Sequence, residues 1–154
     1  MNTQAELSNK AGIRFAQAHN LKVAIKASGH DFLGRSTAKN SLLLWTRNLQ
    51  NITFHDSFEV GGKTLGSAVT VESGVGLHTL YVAAETQGKI FVGGTAATVV
   101  AAAGYVQGAG HSALSPTFGL AADNTLGRIW PLVVYCCVSS AMQSSRLYLQ
   151  MGAL

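Results

Sequence analysis

LKVAIKASGHDFLGRS, residues 21–36, sets Leu21, Val23 and Ile25 at every second position and then breaks into a polar run bounded by Gly29 and Gly34. Alternation of that period marks an extended strand with one face turned to a core. The strand therefore opens into a loop, and its two glycines permit tight turns. Successive backbone amides from Ser28 to Phe32 are then able to bind a diphosphate, and His30 projects a nucleophilic nitrogen toward whatever the diphosphate carries. A turn histidine is the plainer reading of the same residue. Asp31 either orients His30 through a hydrogen bond or caps the turn. Lys26 and Arg35 flank the loop, as local cations or as solvated side chains.

Upstream, residues 4–19 carry an imperfect helical period through Leu7, Ala11, Ile13, Phe15 and Ala18, closed by His19 and Asn20. Downstream, SLLLW (residues 41–45) reads as a second strand, NLQNITFH leads through a turn to a third, and AVTVESGV (residues 68–75) supplies a fourth. GLHTLYVAAETQG, with Leu77, Leu80, Tyr81, Ala83 and Ala84 on its apolar positions, suits a helix ended by Gly88. This mixed order argues for an α+β fold rather than a doubly wound parallel sheet.

From Phe91 the chain turns to small residues, VGGTAATVVAAAGYVQGAGHSALSPTFGLAADN. Such side chains let backbone approach a bulky ligand closely, and they equally suit a tightly packed helix and loop in a core. After Asn124 the pattern fades: Pro131 interrupts an apolar run from Ile129 to Val138, and a serine-rich patch follows.

The 154 residues suit one domain, with 47% hydrophobic residues, 12% charged residues and 17 glycines. The net charge of +4 comes from scattered lysines and arginines that form no run, so no nucleic-acid partner is expected. Cys136 and Cys137 are adjacent and offer neither a disulfide framework nor metal spacing, so no metal is expected. With no apolar run of signal-peptide or bilayer length, the expectation for the chain as written is cytoplasmic, without a membrane partner. Neither a P-loop nor the G-x-G-x-x-G dinucleotide fingerprint is present.

Several stretches in order carry a resemblance: IRFAQAHNLKVAIKASGHDFLGRST, SLLLWTRNL, AVTVESGVGLHTLYVAAETQG, VGGTAATV and GYVQGAGHSALSPTFGLAADN. From Ala11 to Leu126 the chain resembles the PCMH-type FAD-binding domain of the vanillyl alcohol oxidase family, in particular the berberine-bridge-enzyme-like FAD-linked oxidoreductases of fungal secondary metabolism. The resemblance implies FAD as cofactor and His30 as its covalent anchor at the 8α carbon. Ser28, Gly29, Asp31, Phe32 and Gly34 match the loop around the diphosphate. Gly104, Tyr105, Gly108, Gly110, His111 and Ser112 match a segment lining the rest of the cofactor cleft. Leu120, Ala121, Asp123 and Asn124 match the run that leads into the next strand.

The family usually has glycine where this chain has Val100, Ala103 and Ala109, and each added side chain is expected to narrow the cleft or strain a residue that needs positive φ. No thiol stands near Ala96, where some relatives make a second flavin link, so at most one covalent bond is expected. The implied function is hydride transfer from a small-molecule substrate to flavin, reoxidised by dioxygen. No catalytic residue is assigned within the chain, because the resemblance places the base in a substrate domain that is missing here. Residues 1–126 are expected to form a partial FAD-binding domain, and residues 127–154 a tail of frameshift or intron origin. An inactive fragment of such a domain is the alternative reading, and nothing in the sequence gives an oligomeric state.

Overall fold

The alternation around Val23 and Ile25 becomes one strand of a parallel pair. In a computed structural model, which describes residues 3–129 and 146–153, helix α1 (Thr3–Ala18) leads into β1 (Lys22–Lys26), which pairs in parallel with β2 (Ser41–Trp45). Val23 and Ile25 are in register with Leu42 and Leu44, and α1 covers that face where Gly12 meets Leu44. A Cβ on Gly12 would lie 2.7 Å from Leu44 Cδ2, so the helix sits close only because glycine stands there. Leu21 lies before the strand and stays exposed, whereas Ala24 on the opposite face is buried. Asn20, at φ 52°, ends α1 in the left-handed conformation that helix C-termini favour.

A short 3-10 turn (Thr46–Asn48) follows β2 and delivers the chain to β3 (Ile52–His55). A small hairpin, β4 (Glu59–Val60) and β5 (Lys63–Thr64), turns on Gly61 and Gly62, both at positive φ, as a two-residue hairpin turn requires. β6 (Ala68–Glu72) pairs antiparallel with β3, and α2 (Leu77–Thr86) then packs Leu77 and Leu80 into the core. Gly88, at φ 59°, stops α2 as its sequence position suggests.

β7 (Lys89–Ile90), a π-type turn (Ala101–Tyr105), the short helix α3 (Ser115–Phe118) and β8 (Thr125–Ile129) come next. β9 (Arg146–Gln150) then enters the main sheet between β6 and β8, giving the order β3-β6-β9-β8, and β10 (Gly152–Ala153) pairs with β7. The boundary expected after residue 126 thus falls inside β8, and residues 146–153 fold with the domain. Leu149 and Met151 join Val69, Val71, Leu77, Leu80, Phe91 and Val106 in the principal core. Pro131, Cys136 and Cys137 lie outside the described residues.

Candidate functional site

Two loops meet at the open end of the parallel pair. The first leaves β1 with Gly29 at φ 89° and Gly34 at φ 73°, conformations that side chains with a Cβ rarely adopt. Its base is fixed by Trp45, whose Nε1 donates to the Ala27 carbonyl at 2.9 Å while its ring receives Lys26 Nζ 5.1 Å from the centroid. Its tip is closed by an ion pair. The Asp31 carboxylate accepts bonds from the Arg35 backbone N–H at 2.5 Å, from Nε at 3.0 Å and from Nη2 at 2.5 Å. The side-chain bonds from Arg35 hold the Asp31 carboxyl below its ordinary range, and Asp31 in turn raises Arg35. The carboxylate is therefore spent on the turn, not on His30.

His30 reaches across instead to the second loop, where its Nε2 lies 2.7 Å from Thr98 Oγ1, a contact between residues 68 apart. Residues 93–100 form that second wall. The leading amides of α2, at Leu77 and His78, donate to the carbonyls of Val99 and Ala97 at 2.8 and 3.0 Å. Those bonds turn the carbonyls of the wall inward. Among the described residues, the amides of Thr95, Ala96, Ala97 and Thr98 donate to no protein group, and neither do those of Gly29, His30, Asp31 and Phe32. Two runs of amides with no acceptor among the described residues flank one histidine, and consecutive amides of this kind form concave anion sites. The arrangement fits a ligand with a diphosphate and a group for His30 to meet.

Behind the walls, Ala27 packs with Val100 and Ala103 in a small buried cluster. Val100 and Ala103, whose side chains were expected to narrow the cleft, are used there to join the two loops. Gly104 is exposed, and a Cβ added to it would meet nothing within 4 Å, so this part of the turn leaves room for a ligand. Gly110 is different: its Cβ would lie 2.7 Å from Ala121 Cβ and 2.9 Å from the Tyr105 ring. Tyr105 also donates its hydroxyl to the His111 carbonyl at 2.8 Å, and burial pushes its phenol up to about 12. Gly108 donates to Gly104 at 3.0 Å, and Ser112 takes part in the turn before α3 through bonds with Ser115 and Leu114.

The candidate residues thus separate by role. Ser28, Gly29, His30, Asp31, Phe32 and Gly34 shape the first wall, with Phe32 fully exposed at its tip. Tyr105, Gly108, Gly110, His111 and Ser112 form a knot that braces the second. LAADN is bound to that knot, since Ala121 and Ala122 donate to Gly110 and Ala109 at 2.9 and 3.0 Å. Within it, Asn124 Nδ2 donates to the carbonyls of Phe118 and Leu120. Thr98 is the site residue that sequence reasoning did not single out, although it lies inside the quoted VGGTAATV stretch. Among the described residues there is no cluster of three or more His, Cys, Asp or Glu able to hold a metal ion, and no helix is long and apolar enough to cross a membrane.

Comparison with known proteins matches the same span. The FAD binding domain family matches residues 4–128. An FAD-linked oxidoreductase of Arthroderma benhamiae is 46% identical over 127 residues, covering 80% of this chain and 22% of the relative. The crystal structure of the VAO-type flavoprotein MtVAO615 from Myceliophthora thermophila superposes with a TM-score of 0.83 at 30% identity, over 96% of this chain and 30% of that one. Berberine bridge enzyme shares the fold, with a TM-score of 0.67 at 19% identity. The chain therefore spans about a fifth to a third of the length of the proteins it matches.

Proposed function

This chain belongs to the family of FAD binding domains, and from that premise we propose that it holds FAD between its two loops, with the dinucleotide's diphosphate on the open amides and His30 as covalent anchor. The observation that carries this reading is the position of His30, bonded to Thr98 between two runs of amides that lack protein acceptors among the described residues. Gly29 and Gly34 give the first run its curvature, and the Asp31–Arg35 pair holds that curvature while cancelling most of the local charge. The diphosphate is then met mainly by N–H dipoles, which need no surrounding basic patch.

When bound, FAD supplies the redox chemistry, accepting a hydride from a small-molecule substrate and returning electrons to dioxygen. The residues of this chain bind and orient. Gly104, open on one face, would leave room for the part of the cofactor beyond the diphosphate, while Tyr105 and Gly110 keep the second wall rigid. Whole proteins of this kind are accordingly FAD-linked oxidoreductases, the name that the fungal relative carries, and the sequence resemblance extends the proposal to a role in fungal secondary metabolism. Substrate choice and the catalytic base are assigned to none of the described residues.

Expression of the full chain with FAD tests the reading directly. Yellow colour that survives acid denaturation is expected, and its loss in His30→Ala assigns the link. A colourless, aggregating product would instead support an inactive fragment, a reading favoured by the exposed Phe32 and Leu33.

A further inference from the structure

We propose that Thr98 is a positioning residue for flavin attachment, accepting a hydrogen bond from His30 Nε2–H so that Nδ1 presents its lone pair to the cofactor; this rests on the FAD reading above. The imidazole is exposed, its Nε2 lies 2.7 Å from Thr98 Oγ1, and among the described residues Nδ1 has no partner. In neutral imidazole one nitrogen carries the proton and the other the lone pair, and the hydrogen bond at one decides the character of the other. A threonine oxygen can accept as well as donate. With Nε2–H donating to Oγ1, only Nδ1 is nucleophilic.

Asp31 is one residue away and would be the more common partner for a histidine, yet its carboxylate is held by Arg35. A carboxylate would favour the charged imidazolium, which has no lone pair to give; a neutral hydroxyl orients the ring without that bias. The Asp31–Arg35 pair and the His30–Thr98 bond therefore divide two tasks, shaping the turn and aiming the ring.

Attachment forms a bond from Nδ1 to the flavin 8α carbon while one C–H bond of that methyl group breaks. The methyl proton and the Nε2 proton leave to solvent, and the C–H electron pair remains on the flavin, which is thereby reduced. Dioxygen reoxidises it and becomes hydrogen peroxide. During the bond-forming step the ring is transiently cationic, and the Nε2–H bond to Thr98 becomes charge-assisted and stronger. Thr98 thus contributes most where the barrier lies.

The test uses the full chain. Thr98→Val keeps the side-chain shape and is expected to slow the appearance of acid-stable flavin by about tenfold, the scale of one hydrogen bond at an exposed site, while Thr98→Ser stays within about twofold. In the flavin-free chain, nitrogen-15 NMR of His30 should show the Nε2–H form, with a shift toward a mixture in Thr98→Val. Attachment at an unchanged rate in Thr98→Val, or a dominant Nδ1–H form in the unsubstituted chain, overturns the role of Thr98. Absence of acid-stable flavin from the unsubstituted chain, as from His30→Ala, overturns the covalent reading itself and this proposal with it.

Discussion

Ala109 occupies a backbone conformation suited to glycine, with φ 71°, directly before Gly110 at φ 70°. An L residue in the left-handed region carries a steric penalty of roughly 1–2 kcal/mol, part of which is offset because alanine restricts the unfolded chain more than glycine does. Ala109→Gly is therefore expected to stabilise the domain by about 0.5–1 kcal/mol, read as a higher urea midpoint at constant slope. The neighbouring change has the opposite sign. Gly110→Ala adds a Cβ 2.7 Å from Ala121 Cβ in a backbone already at positive φ, so strain and overlap combine to about 2–4 kcal/mol of destabilisation. The strain at Ala109 is what the resemblance implied for a position expected to need glycine. The same resemblance implied narrowing at Val100 and Ala103, where the structure shows the added groups packed on Ala27.

Tyr105 offers a pH test at the same scale. Burial raises its phenol to about 12, so the folded state favours the neutral ring over the range in which an unfolded tyrosine, near 10, ionises. Its contribution is complete below pH 10 and is lost as pH rises toward 12. Absorbance titration should show Tyr105 ionising late, alongside Tyr81, which burial also raises, with unfolding eased over that interval, and Tyr105→Phe should remove the later component.

Among the elements, the crossing between the 3-10 turn and the exit of β6 is the least forgiving. Gly74 donates to the Leu49 carbonyl at 2.7 Å, and Thr46 Oγ1 donates to the Ser73 carbonyl at 2.8 Å. A Cβ on Gly74 would stand 2.5–2.6 Å from the carbonyl oxygens of Leu49, Arg47 and Thr46, all backbone atoms that cannot rotate away. Gly74→Ala is expected to cost about 3 kcal/mol or more and to lower soluble yield, measurable by urea unfolding. The sequence showed Gly74 and Gly76 bracketing Val75 ahead of a helix. Periodicity alone could not show that another strand connection passes against Gly74.

SLLLW was legible as a strand to the residue, because a short apolar run of strand length sat between polar turn-forming stretches. The β4–β5 hairpin escaped notice: two-residue strands carry too few side chains for a period, and only the Gly61–Gly62 pair marks the turn.

For the whole molecule, β9 is the decisive addition. It fills the gap between β6 and β8, and Leu149 is buried to 2% exposure. Leu149→Ala should cost about 2–4 kcal/mol through lost burial and the cavity left behind. Removal of residues 130–154 should have a larger effect, leaving β6 and β8 with unpaired edges and the core uncovered. Loss of a cooperative thermal transition is expected there; a transition matching that of the full chain would show that β9 is dispensable.

The sequence by itself determined the local elements: the alternation through Val23 and Ile25, the stops at Asn20 and Gly88, and a glycine-bounded loop carrying His30. It also determined the family, since its motifs recur in order along the chain. Tertiary structure alone decided that Asp31 answers to Arg35, that His30 answers to Thr98, and that Leu147 and Leu149 belong to a strand inside the main sheet, with Met151 following it into the core. Local periodicity is set by backbone geometry within a few residues. A partner 68 positions away is set by how α2 and the parallel pair pack, because the orientation of the second wall comes from bonds to the α2 amides and not from its own small side chains.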